Sequence, residues 1–170
     1  LFAGIVEDFI NTESIVAADL RMANVFYLFR NDAITTVFTW ITLLGKLQII
    51  LLFMLTTIVM LWLWHKKHYI IPLLVSFTGS LSFTYLGKLV FSRARPALSI
   101  YSESTFSFPS GHACIAIALY GFIGYLLICF TRSWHARVNI FFATLMVVLL
   151  IGISRVYLGV HYISDVWSGY

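Results

Sequence analysis

With 170 residues, 61% of them hydrophobic and only 11% charged, and a mean hydropathy of +0.93, the chain is too apolar for a water-soluble domain and reads as a polytopic membrane protein. Its net charge of +4 comes from eleven Lys and Arg scattered through loops and segment ends. That scatter argues against nucleic acid as a partner, because no basic run is interleaved with exposed polar residues. Cys114 and Cys129 share one predicted helix and lie roughly 22 Å apart along it at 1.5 Å per residue. They cannot bridge each other, and no Cys/His pair has the spacing of a zinc site.

In chain order, Leu1 to Ile10 is apolar but too short to span, and it lacks the basic start and cleavage site of a signal peptide. It reads as the end of a first transmembrane helix whose beginning is missing. Residues 14–29 set Ile15, Val16, Leu20, Val25, Phe26 and Phe29 among Asp19, Arg21 and Asn24. That mixed pattern fits a helix lying at the membrane interface and, equally, an amphipathic helix packed on a bundle. From Ala33 to Trp64 only Lys46 and Gln48 interrupt the apolar run, and Gly45 is the expected point of a break or bend. The part after Gly45 is about one membrane thickness long. His65-Lys66-Lys67-His68 then makes a compact basic turn.

Further spans are predicted over residues 69–91 and 113–130, followed by a second basic loop from Thr131 to Arg137 that contains Arg132 and Arg137. Val138 to Gly152 returns across the membrane, and His161 to Tyr170 begins a helix that the sequence cuts short. The expected fold class is all-α, a transmembrane helix bundle. No repeat, low-complexity segment or linker divides residues 1–170, so a single domain is expected. Short loops rich in Lys and Arg usually face the cytoplasm, which puts the opposite helix ends on the extracytoplasmic side. His65, His68 and His135 fall in or beside those loops and are read as residues without catalytic duty.

The chemistry-bearing residues gather at those opposite ends. Lys88 and Arg95 stand seven apart in KLVFSRARP, closed by Pro96. Pro109-Ser110-Gly111-His112 sits where a loop gives way to an apolar run, a helix start whose unpaired amides and dipole attract anions. SRVYLGVHYISD, residues 154–165, adds Arg155, His161 and Asp165. Three cations, two histidines and a carboxylate at the ends of hydrophobic segments, where charge is expensive, point to a phosphate site. Lys88, Arg95 and Arg155 hold the charge that metal ions hold in other enzymes, so no metal and no cofactor is expected. The amides near Ser110 and Gly111, with the Ser110 hydroxyl, complete the cradle. Asp165 follows His161 by four, so on a helix the two share a face and the carboxylate fixes the imidazole tautomer. Arg93 falls between these positions and is read as an interfacial anchor that snorkels to the headgroups.

Read as Lys-x6-Arg-Pro, Pro-Ser-Gly-His and Ser-Arg-x5-His-x3-Asp, the three stretches resemble the signature of the type 2 phosphatidic acid phosphatase (PAP2) superfamily at every defining position. The motifs cover Lys88 to Asp165, and hydropathy alone covers the rest. The resemblance implies a six-helix bundle with its site near one membrane face, the first and last helices being incomplete here. It implies that His161 is the nucleophile that forms a phosphohistidine, and that His112 protonates the leaving oxygen and then activates water. It further implies an integral protein of a bacterial cytoplasmic membrane whose substrate is a lipid phosphate or diphosphate, with undecaprenyl diphosphate and phosphatidylglycerol phosphate foremost. The alternatives are a phosphotransferase with a second lipid as acceptor and, from another class, a lipid-binding protein with a dead site. A vanadium-dependent haloperoxidase shares the motifs, but the hydropathy argues against that soluble relative.

Overall fold

The computed structural model of the chain describes residues 12–101 and 103–170. The expectation of a first transmembrane helix over Leu1 to Ile10 therefore lies outside the described residues. Seven helices follow in order: α1 (Glu13–Leu28), α2 (Asp32–Leu43), α3 (Leu47–Leu63), α4 (Ile70–Phe91), α5 (Gly111–Phe130), α6 (Trp134–Tyr157) and α7 (Ile163–Gly169). Three segments, Lys67–Phe91, Gly111–Phe130 and Trp134–Tyr157, are each long and apolar enough to cross a membrane. The α2 and α3 pair qualifies only jointly, as two pieces bent by 45°. The break falls at the expected place around Gly45. The hydroxyl of Tyr120 donates to the Leu44 carbonyl at 2.8 Å, supplying a partner where the helical ladder is interrupted.

Local chemistry sets the other boundaries. Asn31 caps α2 by accepting from the Ile34 amide at 2.9 Å, and Ser133 caps α6 through the Ala136 amide. The second basic loop is thus shorter than its composition suggests, because Arg137 already lies in the first turn of α6 and reaches back to the Thr131 carbonyl at 2.7 Å. Helix α4 ends at Ser92, whose φ of 43° is left-handed. Helix α5 contains a π turn over Ile117–Gly121.

Packing draws these helices together along several seams. Ile50, Leu73, Phe77, Ile115 and Leu119 join α3, α4 and α5. Ala113, Val156 and Val166, with Phe26 and Tyr170 against them, join α5, α6 and α7 to α1. The α5 and α6 backbones approach so closely that a Cβ on Gly124 would stand 2.4 Å from the Thr144 hydroxyl, the small-residue contact that membrane helices use in place of a hydrophobic drive. Helix α1 packs on the bundle, with Phe26 edge-on to Tyr157 at 6.2 Å. Of the two readings open for residues 14–29, the structure selects the packed helix. Outward faces carry Trp40, Trp62, Phe83, Phe141 and Trp167, all well exposed, as expected of lipid-facing surfaces.

Alternation of α4, α5, α6 and α7 brings the C-termini of α4 and α6 and the N-termini of α5 and α7 to one end of the bundle. The basic turns at 65–68 and 131–133 lie at the other end.

Candidate active site

Three connections build the site: the long loop 92–110 between α4 and α5, the turn 158–162 between α6 and α7, and the break between α2 and α3. Arg95, on the long loop, is fixed by its own surroundings. Its Nε donates to the Thr105 carbonyl at 2.7 Å, its Nη1 to the Val160 carbonyl at 2.7 Å, and its Nη2 to the Thr105 hydroxyl at 3.0 Å. Arg155 rises from the last turn of α6 and is almost wholly buried. Its Nη1 donates to the Thr42 hydroxyl at 3.0 Å and to the hydroxyl of Tyr101.

Both guanidiniums converge on one carboxylate. Glu103 Oε2 lies 2.8 Å from Arg95 Nη2, and Oε1 accepts from Arg155 Nη2. Burial acts to raise the Glu103 pKa, but Arg155 and then Arg95 outweigh it and hold the group below the usual carboxylate range. The two oxygens of the Glu103 carboxylate are thus shared between two guanidinium groups. Sequence reasoning missed Glu103; the signal was a carboxylate midway along a loop otherwise occupied by phosphate-binding motifs.

His161 borders this anion site. Its Nε2 is 3.3 Å from Arg95 Nη1, and its Nδ1 is 3.4 Å from both Asp165 Oδ2 and Ser107 Oγ. Burial pushes the imidazole down to about 4 in spite of the opposing pull of Asp165, so the ring is neutral at physiological pH. The expected geometry of this pair needs correction. His161 is not on a helix: it precedes the N-cap Tyr162 of α7, and Asp165 occupies the third helical position. The carboxylate reaches the histidine because it folds back over the helix start, where Oδ2 also accepts from the Tyr162 amide at 2.9 Å and from the Ser107 hydroxyl.

The expected backbone cradle at the second motif is also only partly available. The Ser110 amide donates to the Asp165 carbonyl at 2.9 Å, which ties the starts of α5 and α7 together and commits that group. Gly111 opens α5, and its Cβ position would come within 3.2 Å of Thr84. Ser110 Oγ, His112 Nε2 and Arg155 Nε are buried without a hydrogen-bond partner. Thr84 Oγ1 is the other such atom among the described residues, and buried polar groups are normally satisfied. His112 lies against the α2–α3 break, where a Cβ on Gly45 would stand 2.6 Å from the imidazole Cδ2. Arg155, His161 and Arg95 are its electrostatic neighbours. Lys88 donates its Nζ to the Phe106 carbonyl at the site's edge, with Arg95 and Glu103 as its strongest charged neighbours. All eight sequence-selected residues therefore meet at one end of the bundle.

Arg93 is the plain correction. It is not a snorkelling anchor: its Nη2 lies 2.7 Å from Asp19 Oδ2 and its Nη1 2.7 Å from Asp165 Oδ1, both carboxylates being fully buried. The guanidinium also stacks over the Tyr162 ring at 4.4 Å. An apolar setting makes a paired arginine the stable arrangement, and the partner came from α1, far away in sequence.

Comparison with known proteins identifies the family and the fold. Residues 69–170 match the model of the PAP2 superfamily. The chain is 33% identical over 178 residues to phosphatidylglycerophosphatase B of Bacillus subtilis (strain 168), covering 100% of this chain and 85% of that protein. It superposes with a TM-score of 0.90 and 29% identity on the crystal structure of a transmembrane PAP2-type phosphatidylglycerolphosphate phosphatase from Bacillus subtilis, over 99% of this chain and 85% of that one. The fold is shared with Aquifex aeolicus LpxE as well, at a TM-score of 0.66 and 23% identity, over 89% and 87% of the two chains. With its motif residues gathered at one end of a membrane-spanning bundle, this chain belongs to the PAP2 superfamily and is a membrane phosphatase of that family.

Proposed function

We propose that the protein removes the terminal phosphate of a lipid phosphate or diphosphate through a phosphohistidine on His161. One observation carries this reading: Arg95 and Arg155 grip a single carboxylate beside Nε2 of a neutral, buried histidine, an atom that Arg95 Nη1 itself approaches to 3.3 Å. A phosphoryl group that displaced Glu103 would meet two guanidinium forks, with Lys88 adding charge from the edge. His161 Nε2 then forms the N–P bond as the P–O bond to the lipid breaks, and Asp165 stabilises the imidazolium. His112 gives its proton to the departing lipid oxygen and afterwards takes one from the water that cleaves the N–P bond. Among the described residues no group of three or more His, Cys, Asp or Glu is placed to hold a metal ion.

Phosphatidylglycerol phosphate is the first substrate to test, because the relative that spans this whole chain is named for it. Undecaprenyl diphosphate tests acceptance of a diphosphate. Purified protein in detergent should release phosphate from at least one of them, keep that activity in EDTA and lose it to orthovanadate, which adopts the five-coordinate geometry of phosphoryl transfer. Activity abolished by EDTA and restored by magnesium would overturn the proposed site.

An extracytoplasmic site is part of this reading, and the position of the motif residues opposite the basic turns supports it. A cysteine at Ser104 should react with an impermeant thiol reagent in intact cells once Cys114 and Cys129 are replaced, whereas one at Ser133 should not. The reverse pattern would move the substrate to the inner leaflet.

A further inference from the structure

The Arg93 guanidinium lies between two buried carboxylates, and only one of them, Asp165, touches the histidine. The other, Asp19, comes from the middle of α1 and is almost completely inaccessible. Asp19 also takes the first turn of α7: Oδ1 accepts from the Ser164 amide at 3.0 Å and Oδ2 from the Ser164 hydroxyl at 2.6 Å. Arg93 Nη1 in turn donates to Ser164 Oγ at 2.7 Å. The result is a closed polar network of Asp19, Arg93, Ser164 and Asp165, sealed by the Tyr162 ring.

Counting charge gives this network its function. Arg93 and Asp165 alone would form a neutral pair, leaving no net charge to balance the imidazolium that arises when His161 takes up phosphorus. With Asp19 present the group carries one net negative charge, located behind His161. In a water-excluded site such a fixed charge is worth far more than in water. Burying Asp19 would otherwise be costly, since a buried carboxylate is tolerated only when paired and hydrogen-bonded. We infer that Asp19 is a positioning residue for the phosphoryl-transfer step: it holds Arg93 away from full neutralisation of Asp165 and fixes the start of α7, so that helix α1 completes the active site. This inference rests on the proposed role of His161 as nucleophile.

The test follows the pre-steady-state burst of phenol from an activated aryl phosphate in the full chain in detergent, since burst amplitude counts folded, competent sites and burst rate reports phosphoryl transfer. Asp19→Asn removes the charge and keeps one acceptor oxygen, for the Ser164 amide, while its NH2 replaces the oxygen that accepts from the Ser164 hydroxyl and from Arg93. It should slow the burst about tenfold, the cost of one weakened charge interaction, with burst amplitude and the KM for lipid phosphate unchanged. Asp19→Asn combined with Arg93→Gln removes one charge of each sign and leaves Asp165 with its own. The double variant should recover to within about threefold of the original rate. A purely structural role predicts the opposite order, with the double variant worse than the single one and amplitude falling in both. A normal rate in Asp19→Asn, or no recovery in the double variant, would overturn the inference. Absence both of a burst and of any acid-labile, base-stable phosphoprotein, in the unsubstituted protein and in His112→Ala, would instead defeat the functional reading on which it rests.

Discussion

His161→Ala should form no phosphoenzyme with any substrate, a loss of about 10⁴-fold or more in turnover, while His112→Ala should lose about 10²- to 10⁴-fold on lipid substrate. The two separate when the leaving group needs no proton. In His112→Ala the nucleophile keeps its Asp165 and Ser107 neighbours at Nδ1 and its Arg95 contact at Nε2, so attack on an activated aryl phosphate should proceed. The expected record is a burst of phenol followed by slow release of phosphate, because water lacks its base. In His161→Ala no burst should occur, although the two arginines still bind the aryl phosphate. Rapid-quench measurement with detection of acid-labile, base-stable phosphoprotein checks both. A burst in the His161 variant, or none in the His112 variant despite demonstrated binding, would contradict the roles assigned to them.

Arg93→Ala should be the most destabilising single replacement in the connections. It leaves Asp19 and Asp165 facing each other with no cation between them, both fully buried. Removing one partner of a buried ion pair typically costs about 3–5 kcal/mol, and here one arginine serves two carboxylates. For a chain of this length that corresponds to roughly 10 °C in the thermal midpoint. Thermal unfolding in detergent, followed by tryptophan fluorescence, measures it, with Arg132→Ala as the comparison because Arg132 is exposed in the short loop before α6. A shift no larger than that of Arg132→Ala would show that the network does not hold the helices together. Arg93→Lys keeps a charge but not the fork, so it should fall between the two.

Much of the architecture was legible before the fold was known, for a physical reason. A membrane interior makes every charge and every loop expensive, so spans, the bend at Gly45 and the basic turns are written directly in hydropathy. Motif spacing was equally legible: Lys88, Arg95, Ser110, Gly111, His112, Arg155, His161 and Asp165 are recognisable by type and interval, and all lie at one end of the bundle. Composition and spacing do not carry the contacts between separate segments. Nothing in residues 14–29 distinguishes an interfacial helix from a packed one, and nothing near Arg93 announces a partner more than seventy positions earlier. Glu103 likewise became visible only when its loop folded so that Arg95 of the same loop and Arg155 of α6 met the one carboxylate. The sequence by itself determined that the chain spans a membrane and which charged and polar groups stand at the ends of its spans. Tertiary structure alone decided which carboxylate holds which cation, because an ion pair in an apolar interior is selected by distance in space, and distance along the chain does not report it.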